Sequence, residues 1–242
     1  RAADRPPTRA DRLRGEYGRY RANNDLLSYH LDVRVDPDRK WISGRNTIRF
    51  RMLEADTRIQ LDLDAALGLD GITLDGADLR VTRELNTVWV DFPRTLEAGT
   101  EHSVVVRYSG APRQTGRFGG LAFRTDPAGR PWITTACEDE GASIWWPNKD
   151  QWRDEVEQMR LSVAIPRDLV DVSNGRLVGT TDLGDGYRRW DWEISYPINN
   201  YNVALNIGAY VHFADRFGEL PLDYYVLPEN LDKARQQFAQ VG

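Results

Sequence analysis

The chain has 242 residues, of which 40% are hydrophobic, 29% charged and 10% aromatic, and this composition is typical of a folded globular protein and unlike that of a disordered one. The net charge of -5 provides no basic field that would attract nucleic acid or anionic lipid. No apolar run approaches the ~20 residues of a membrane-spanning helix. The single Cys excludes both an internal disulfide and a zinc site built from cysteines.

The first part of the chain is predicted to be an arm followed by a β-hairpin. Residues 1–24 are rich in Arg and show no sustained hydrophobic period, which predicts an extended arm with a short helix near residues 10–20. Hydrophobic and polar residues then alternate over residues 29–35 and again over 48–52, as they do in half-buried strands. The Asp-Pro-Asp sequence at 36–38 is typical of a turn, so these two strands are predicted to pair.

The same alternation recurs in short segments as far as about residue 207, with turn sequences between the segments. No helical pattern connects one predicted strand to the next. Because strands joined by short turns run antiparallel, the pattern predicts an all-β protein whose antiparallel sheets pack as a β-sandwich.

The C-terminal part of the sequence changes character. Residues 220–227 are predicted to form one more strand, and Asn230 can cap a short helix over residues 231–240. Because the chain stops directly after this helical pattern, we expect its last residues to belong to a domain that continues beyond them. The predicted division is an arm at 1–24, a β domain at 25–217 and the start of a further domain at 218–242.

His30, His102 and His212 are the candidate metal ligands among the imidazoles. A zinc hydrolase helix needs two histidines one turn apart with a Glu between them, because residues i and i+4 face the same ion. The three positions are too far apart for this motif, so we expect solvated or strand-edge histidines and no metal bound by this chain. There is no Gly-x-Ser-x-Gly elbow of a serine hydrolase, and the glycine-rich residues 116–120 lack the lysine of a phosphate loop and are predicted to form a mobile turn.

Cys137, Asp62 and Asp64 are predicted to have no catalytic role. Cys137 precedes Glu138 and Asp139, and neighbouring negative charge raises the pKa of a thiol, which predicts an inert thiol rather than a nucleophile. Asp62 and Asp64 are two residues apart and therefore share one face of a predicted strand. We expect both carboxylates to face water.

The segment from residue 132 to residue 150 carries the strongest functional signal. An acidic run, Glu138-Asp139-Glu140, interrupts apolar and small residues and is followed by the tryptophan segment Trp145-Trp146-Pro147-Asn148-Lys149-Asp150. One interpretation is a solvated acidic loop next to buried tryptophans. The other is a rigid, aromatic-walled rim that presents a carboxylate to a cationic group of a ligand.

Five short segments of the chain carry a family resemblance. They are Leu27-Ser28-Tyr29-His30-Leu31-Asp32-Val33, the tryptophan segment, Val163-Ala164-Ile165-Pro166, Val172-Ser173-Asn174-Gly175-Arg176-Leu177 and Tyr196-Pro197-Ile198-Asn199-Asn200-Tyr201. In order and approximate spacing they resemble the N-terminal domain of the zinc-dependent aminopeptidase N family of metallopeptidases, in a bacterial branch. The resemblance covers about residues 25–210.

This resemblance implies a saddle-shaped antiparallel β domain that packs on a thermolysin-like catalytic domain and closes one wall of the active site. In the family, the downstream domain holds the His-Glu-x-x-His zinc helix and the exopeptidase motif, and neither is present in this sequence. The chain is thus expected to be inactive alone and to bind no metal itself, with zinc held in the full-length protein. The implied partners are its own downstream catalytic domain and peptide substrates with a free N-terminus.

The resemblance also implies one substrate-binding residue. In the family, the residue nine positions before the proline that here is Pro147 contacts the free amino terminus of the substrate, and that position is Glu138. A carboxylate suits this role because an α-ammonium group, whose pKa is near ~7.7–8.0, is mostly charged at neutral pH. Asp139 or Glu140 would take the role if a loop insertion shifts the count.

Other interpretations of the function stay open. A carbohydrate- or protein-binding β-sandwich without activity would use Trp145, Trp146 or Trp152 as an exposed stacking platform, and a catalytically inactive family member would serve as an interaction domain. The compartment is also open. An Arg- and Pro-rich arm could follow a removed targeting segment, which favours an exported protein, periplasmic or extracellular, over a cytoplasmic one.

Overall fold

The computed structural model describes residues 6–116, 119–138 and 140–241. These residues form eighteen strands, three short α-helices and three single-turn 3-10 helices, so the prediction of an all-β fold is confirmed. None of the described helices is long and apolar enough to cross a membrane. Asp139 and part of the predicted turn at 116–120 lie outside the described residues.

The strands follow one another along the chain, joined by turns and loops. In chain order they are β1 (Asn24–Asp36), β2 (Trp41–Met52), β3 (Asp56–Asp62), β4 (Leu67–Leu74), β5 (Ala77–Asp78), β6 (Arg80–Glu84), β7 (Thr87–Leu96), β8 (Glu101–Gly110), β9 (Gln114–Thr115), β10 (Gly119–Thr125), β11 (Pro131–Ala136), β12 (Gln158–Pro166), β13 (Val170–Ser173), β14 (Arg176–Asp182), β15 (Tyr187–Ile194), β16 (Leu205–Gly208), β17 (Val211–Phe217) and β18 (Leu220–Val226). The helices are α1 (Arg9–Gly15), α2 (Arg19–Ala22) and α3 (Leu231–Phe238).

The described strands belong to four sheets. The largest has the order β14-β15-β12-β1-β2-β8-β4-β5, and the others are β13-β16-β11-β10-β9, β3-β7-β6 and β17-β18. The predicted first hairpin is confirmed, because β1 and β2 pair antiparallel from Asn24 opposite Met52 to Asp36 opposite Trp41. The five-stranded sheet contains β11, and the Glu138 region begins where that strand ends.

One strand pair departs from the antiparallel prediction. β1 lies parallel to β12, with Ser28 opposite Gln158 and Arg34 opposite Ala164. The prediction rested on short turns between consecutive strands, and that argument does not apply to two strands that are far apart in the sequence. Burial of β12 next to β1, in the middle of the sheet, fits its almost continuous run of buried residues.

The core follows the alternation that the sequence shows. In β1, Leu31, Val33 and Val35 are fully buried, while the residues between them are half-exposed. One hydrophobic cluster joins these side chains to residues of the three- and five-stranded sheets, such as Ile59 and Ile133. Burial of an aliphatic side chain of this size contributes about 1.5–3 kcal/mol, so the shared cluster holds the three sheets together.

The described part of the N-terminal segment, residues 6–23, is not the extended arm that the sequence predicts. It forms α1 and α2 and packs on the β domain, with Leu13 and Arg21 buried. A capping box between Thr8 and Asp11 starts α1, because each residue's side chain accepts a hydrogen bond from the other's backbone N–H. The predicted single helix is thus two helices, and burial of polar and apolar side chains orders the segment.

The C-terminal residues form a hairpin and a helix. β17 and β18 pair only with each other, and α3 follows at Leu231, next to the predicted cap Asn230, whose side chain makes no capping hydrogen bond. The predicted division between residues 217 and 218 falls at the turn of this hairpin. That division stays a prediction.

Candidate functional site

The candidate binding residue Glu138 lies on the surface, directly after β11. Cys137 before it is buried, whereas the Glu138 side chain is exposed. Together with Asp150 and Trp152 it lines a cavity of about 350 Å³. Within the described parts of the chain, no side chain makes a hydrogen bond or ion pair with the Glu138 carboxylate, so this carboxylate is available to a ligand.

Of the two acidic residues that follow Glu138, Glu140 can be compared with it. Glu140 is half-buried and pairs with Arg113 at 3.7 Å between Nη2 and Oε2. Arg113 in turn binds Asp64 at 2.7 Å, so Glu140 is part of an internal ion-pair group. Asp139 lies outside the described residues. Of the two acids that can be compared, Glu138 is the one that faces the cavity without an ion-pair partner in the described chain.

The Glu138 loop, residues 137–141, is closed at its base. The backbone N–H of Gly141 donates to the carbonyl of Cys137 at 2.9 Å. Gly141 has φ +82°, and a Cβ atom there would lie 2.3 Å from Oδ2 of Asp150. Because a side chain is excluded both by the backbone conformation and by this contact, the loop requires glycine at 141.

Asp150 holds the residues that follow the Glu138 loop. Its Oδ2 atom accepts hydrogen bonds from the backbone N–H of Ser143 at 3.0 Å and from the Ser143 hydroxyl at 2.7 Å. These two bonds stabilise the 3-10 turn Ala142–Ile144 that starts at Gly141. Asp150 is therefore a structural anchor as well as a wall of the cavity.

Asp62 and Asp64 do not face water, and that prediction is wrong. Asp62 is the last residue of β3 and Asp64 lies two residues beyond the strand, and they are 4% and 3% exposed. Arg21 of the N-terminal segment covers Asp62 with a contact of 2.6 Å, and Arg113 covers Asp64. Burial raises the pKa of Asp62 to about 6, and the nearby Arg21 opposes that rise.

The paired tryptophans are core residues. Trp145 and Trp146 are both fully buried, and Trp146 packs edge-on against Tyr29 at 5.1 Å between ring centroids. They cannot form an exposed stacking platform. Of the three tryptophans proposed for such a platform, a carbohydrate or protein could reach only Trp152, which is 69% exposed. The interpretation as a binding module therefore keeps a single aromatic contact.

The rest of the tryptophan segment is tied into the interior. Lys149 is fully buried, pairs with Asp154 and donates to the carbonyl of Asn24 at 2.7 Å. Burial lowers its pKa, although Asp154 opposes this. The Asn148 side chain donates to the carbonyl of Trp146 and accepts from Asn200. The segment is therefore anchored in the interior, and Asp150, at its half-buried end, lines the cavity.

The three histidines of the chain each contact a different neighbour and do not come together as zinc ligands. His30 contacts the Ser162 hydroxyl, His102 contacts Thr100 and His212 contacts Asp223. The residues in 6–116, 119–138 and 140–241 include no group of three or more His, Cys, Asp or Glu arranged to hold a metal ion.

Cys137 is buried, and burial rather than the neighbouring acidic run is the main factor that disfavours its thiolate. Burial raises the pKa of its thiol to about 12, and the carboxylates of Asp150 and Glu138 add to the rise. A thiol with this pKa is hardly ionised near neutral pH. Its side chain fills the core behind the Glu138 loop.

Sequence reasoning missed the part of the site that comes from the N-terminal segment. Asp11, Arg14 and Gly15 line the same cavity as Glu138. A neighbouring cavity of about 290 Å³ also lies between this segment, Asp150 and Glu140. Leu13 and Arg21 are both buried. A solvated arm would bury neither side chain, so these two residues distinguish the packed segment from an arm.

Comparison with known proteins agrees with this architecture. The Peptidase M1 N-terminal domain family matches residues 26–201. An aminopeptidase N of Acetobacter pasteurianus is 25% identical over 212 residues, which are 86% of this chain and 59% of that protein. The chain thus spans less than two thirds of this curated relative.

Solved structures share the fold. The M1 zinc metallopeptidase from Deinococcus radiodurans superposes with a TM-score of 0.68 at 21% identity, over 80% of this chain and 44% of that one. A mutant of it bound to a Tyr-Ser-Ala substrate gives a TM-score of 0.71 at 20% identity, over 89% of this chain and 52% of that one. Because the family match covers most of the β domain, the chain belongs to the M1 peptidase family, as its N-terminal domain.

Proposed function

We propose that this chain is the non-catalytic N-terminal domain of a zinc aminopeptidase, and that Glu138 binds the free α-amino group of the peptide substrate. The observation that carries the proposal is an exposed carboxylate without an ion-pair partner in the described chain, on a loop closed by Gly141 and facing a cavity. Bond cleavage and the zinc ion used by the family belong to another part of the polypeptide. This chain should be inactive alone.

The chemistry of the substrate explains why a carboxylate serves this purpose. The α-ammonium group of a peptide is mostly charged at neutral pH, while the nitrogen of an internal peptide bond carries no charge. A carboxylate in a partly enclosed cavity binds the charged group by a charge-assisted hydrogen bond. Such a contact selects peptide ends over internal bonds and fixes the distance from the first peptide bond to the catalytic groups.

The contacts at the two ends of the Glu138 loop support the same role. A residue that binds a substrate group at a fixed position must itself be held in place. The hydrogen bond from Gly141 to Cys137 closes the loop, and the Asp150 carboxylate holds the turn after it. The buried tryptophan pair lies behind this region and supports it.

Glu138→Gln in the full-length protein tests the proposal. The substitution keeps the size of the side chain and removes its charge, so kcat/KM for a substrate with a free α-amine should fall by about 2–3 kcal/mol, or about 30- to 150-fold. The matched control is Glu140→Gln, which removes a neighbouring charge that pairs with Arg113. We expect the control to stay within about threefold of the wild type.

A pair of competitive inhibitors, one with a free α-amine and one without it, separates amine binding from general damage. Glu138→Gln should weaken the amine-bearing inhibitor and leave its des-amino analogue unchanged. Equal weakening of both inhibitors would contradict the role of Glu138. A wild-type protein without peptidase activity would instead support the interpretation as an inactive family member.

A further inference from the structure

We propose that Arg21, in the N-terminal segment, is a positioning residue for the Glu138 loop. It acts through a chain of hydrogen bonds formed by the buried Asp62 and the half-buried Asp150. The inference rests on the proposed function of Glu138 for its effect on substrate binding. Its structural part, the coupling of Arg21 to the loop, can be tested separately.

The first step of the chain is the anchoring of Arg21. Its guanidinium group is 1% exposed, and Nη1 donates to the carbonyl oxygens of Arg14 at 3.1 Å and Glu16 at 2.8 Å. Nη2 donates to Oδ1 of Asp62 at 2.6 Å. One side chain thus fixes the connection between α1 and α2 and ties it to β3.

The second step runs from Asp62 to Asp150. While Oδ1 of Asp62 accepts from Arg21, its Oδ2 accepts from the backbone N–H of Asp150 at 3.0 Å. The Asp62 backbone also exchanges hydrogen bonds with Asn148, at 2.7 and 3.1 Å. Hydrogen bonds to Asp62 therefore fix the backbone position of Asp150.

The third step runs from Asp150 to the Glu138 loop. Its carboxylate accepts from Ser143 and lies against Gly141, with no space for a side chain between them. Gly141 closes the loop on Cys137. A displacement of Asp150 therefore moves the base of the loop that carries Glu138.

The N-terminal segment also contributes directly to the cavity. Gln60 donates to the carbonyl of Leu13 at 3.2 Å, and Gln151 donates to the carbonyl of Arg14 at 3.1 Å. These bonds hold α1 where Asp11 and Arg14 line the same cavity as Glu138. The segment is thus a wall of the site as well as an anchor for it.

Electrostatics explains why the loss of Arg21 would propagate. Asp62 is fully buried, and its pKa is already raised to about 6 by burial with the arginine present. Without that positive charge, the carboxylate is left uncompensated in a poorly solvated place and is driven to protonate or to move. Either response alters the hydrogen bond that holds Asp150.

Amide hydrogen exchange of the full-length protein tests the coupling. In Arg21→Gln, peptides that cover residues 137–144 should exchange about tenfold faster than in the wild type. The matched control is Arg19→Gln. Arg19 lies in α2, like Arg21, and contacts Asp56 of β3 at 2.9 Å, but Asp56 makes no described contact with Asp150. Unchanged exchange at 137–144 in Arg21→Gln, or an equal increase in Arg19→Gln, would overturn the coupling.

The inhibitor pair tests the effect on substrate binding. Arg21→Gln should reduce the preference for the amine-bearing inhibitor over its des-amino analogue by about tenfold, as expected for a displaced contact, and should have no such effect in a Glu138→Gln background. A full effect in that background would overturn the route through Glu138. If Glu138→Gln alone leaves the preference unchanged, the proposed function has failed, while the exchange result still decides the coupling.

Arg21→Lys covers the case in which Arg21→Gln does not fold. Lysine keeps the charge opposite Asp62 but cannot reach the carboxylate and both carbonyl groups together. Exchange at residues 137–144 should still rise above the wild-type rate in this variant. Wild-type exchange there would overturn the coupling.

Discussion

Asp171 should make the stability of this protein depend on pH in an unusual direction. It is fully buried, and its Oδ2 atom accepts hydrogen bonds from the indole of Trp192 at 2.8 Å and the hydroxyl of Ser173 at 3.0 Å. Its Oδ1 atom is buried without a partner in the described chain. Burial raises the pKa of Asp171 to about 7 from an ordinary 3.8, and the two hydrogen bonds oppose the rise.

The direction of the effect follows from proton linkage. Between pH 4 and pH 7 the folded protein keeps a proton on Asp171 that the unfolded chain has lost, so raising the pH through this window destabilises the fold. A shift of about three units at about 1.4 kcal/mol each amounts to about 4 kcal/mol lost by pH 8. Below pH 4 the side chain is protonated in both states and the full stability is present.

Asp171→Asn removes this titration without changing the shape of the side chain. We expect the variant to be about 2–4 kcal/mol more stable than the wild type at pH 8 and within about 1 kcal/mol of it at pH 4. Urea unfolding between pH 4 and pH 8 measures both values. Asp168→Asn, at an exposed position close in sequence, is the control and should keep the wild-type profile. An Asp171→Asn profile with the wild-type slope would refute the reasoning.

Two further predictions concern the Glu138 loop. Gly141→Ala should lower the free energy of unfolding in urea by about 1–3 kcal/mol more than Gly129→Ala does. Both glycines have φ near +80°, but only a side chain at residue 141 would meet another side chain, that of Asp150. Equal losses would show that the contact with Asp150 is unimportant. Cys137 should react with iodoacetamide at pH 8 about 1,000-fold more slowly in the folded than in the urea-unfolded chain, because burial raises its pKa to about 12 from 9.0. Similar rates would mean that the thiol is accessible and ionised.

Much of the β architecture could be predicted because it depends on local patterns. The alternation over residues 29–35 predicts which side chains of β1 are buried, and the turn at 36–38 predicts its pairing with β2. The parallel pairing of β1 with β12 could not be predicted in this way. It joins strands that are far apart in the sequence, and no local pattern records their relative direction.

The burial of Asp62 shows a second limit. A spacing of two predicts that Asp62 and Asp64 share one strand face, but β3 ends at Asp62, and the spacing cannot tell what covers that surface. Arg21 and Arg113 cover it from distant parts of the chain. Polar residues that look solvated in the sequence are here buried in ion pairs, one of which ties the N-terminal segment to β3.

The candidate site was predicted through the family resemblance and not through composition. Counting back from Pro147 selects Glu138, whereas composition alone could not distinguish a solvated acidic loop from a binding rim. The structure combines features of both interpretations, because Trp145 and Trp146 are buried while Glu138 is exposed beside a cavity. The contribution of the N-terminal segment to that cavity depends on tertiary packing and has no short sequence motif.

The most direct test of the central claim is a crystal structure of the full-length protein with a slowly cleaved tripeptide that has a free N-terminus. The account predicts that the α-amino nitrogen lies about 2.7–3.1 Å from a carboxylate oxygen of Glu138, within the cavity shared with Asp150. An α-amino nitrogen held by Glu140 or by acidic groups outside this chain, with Glu138 turned to solvent, would contradict it.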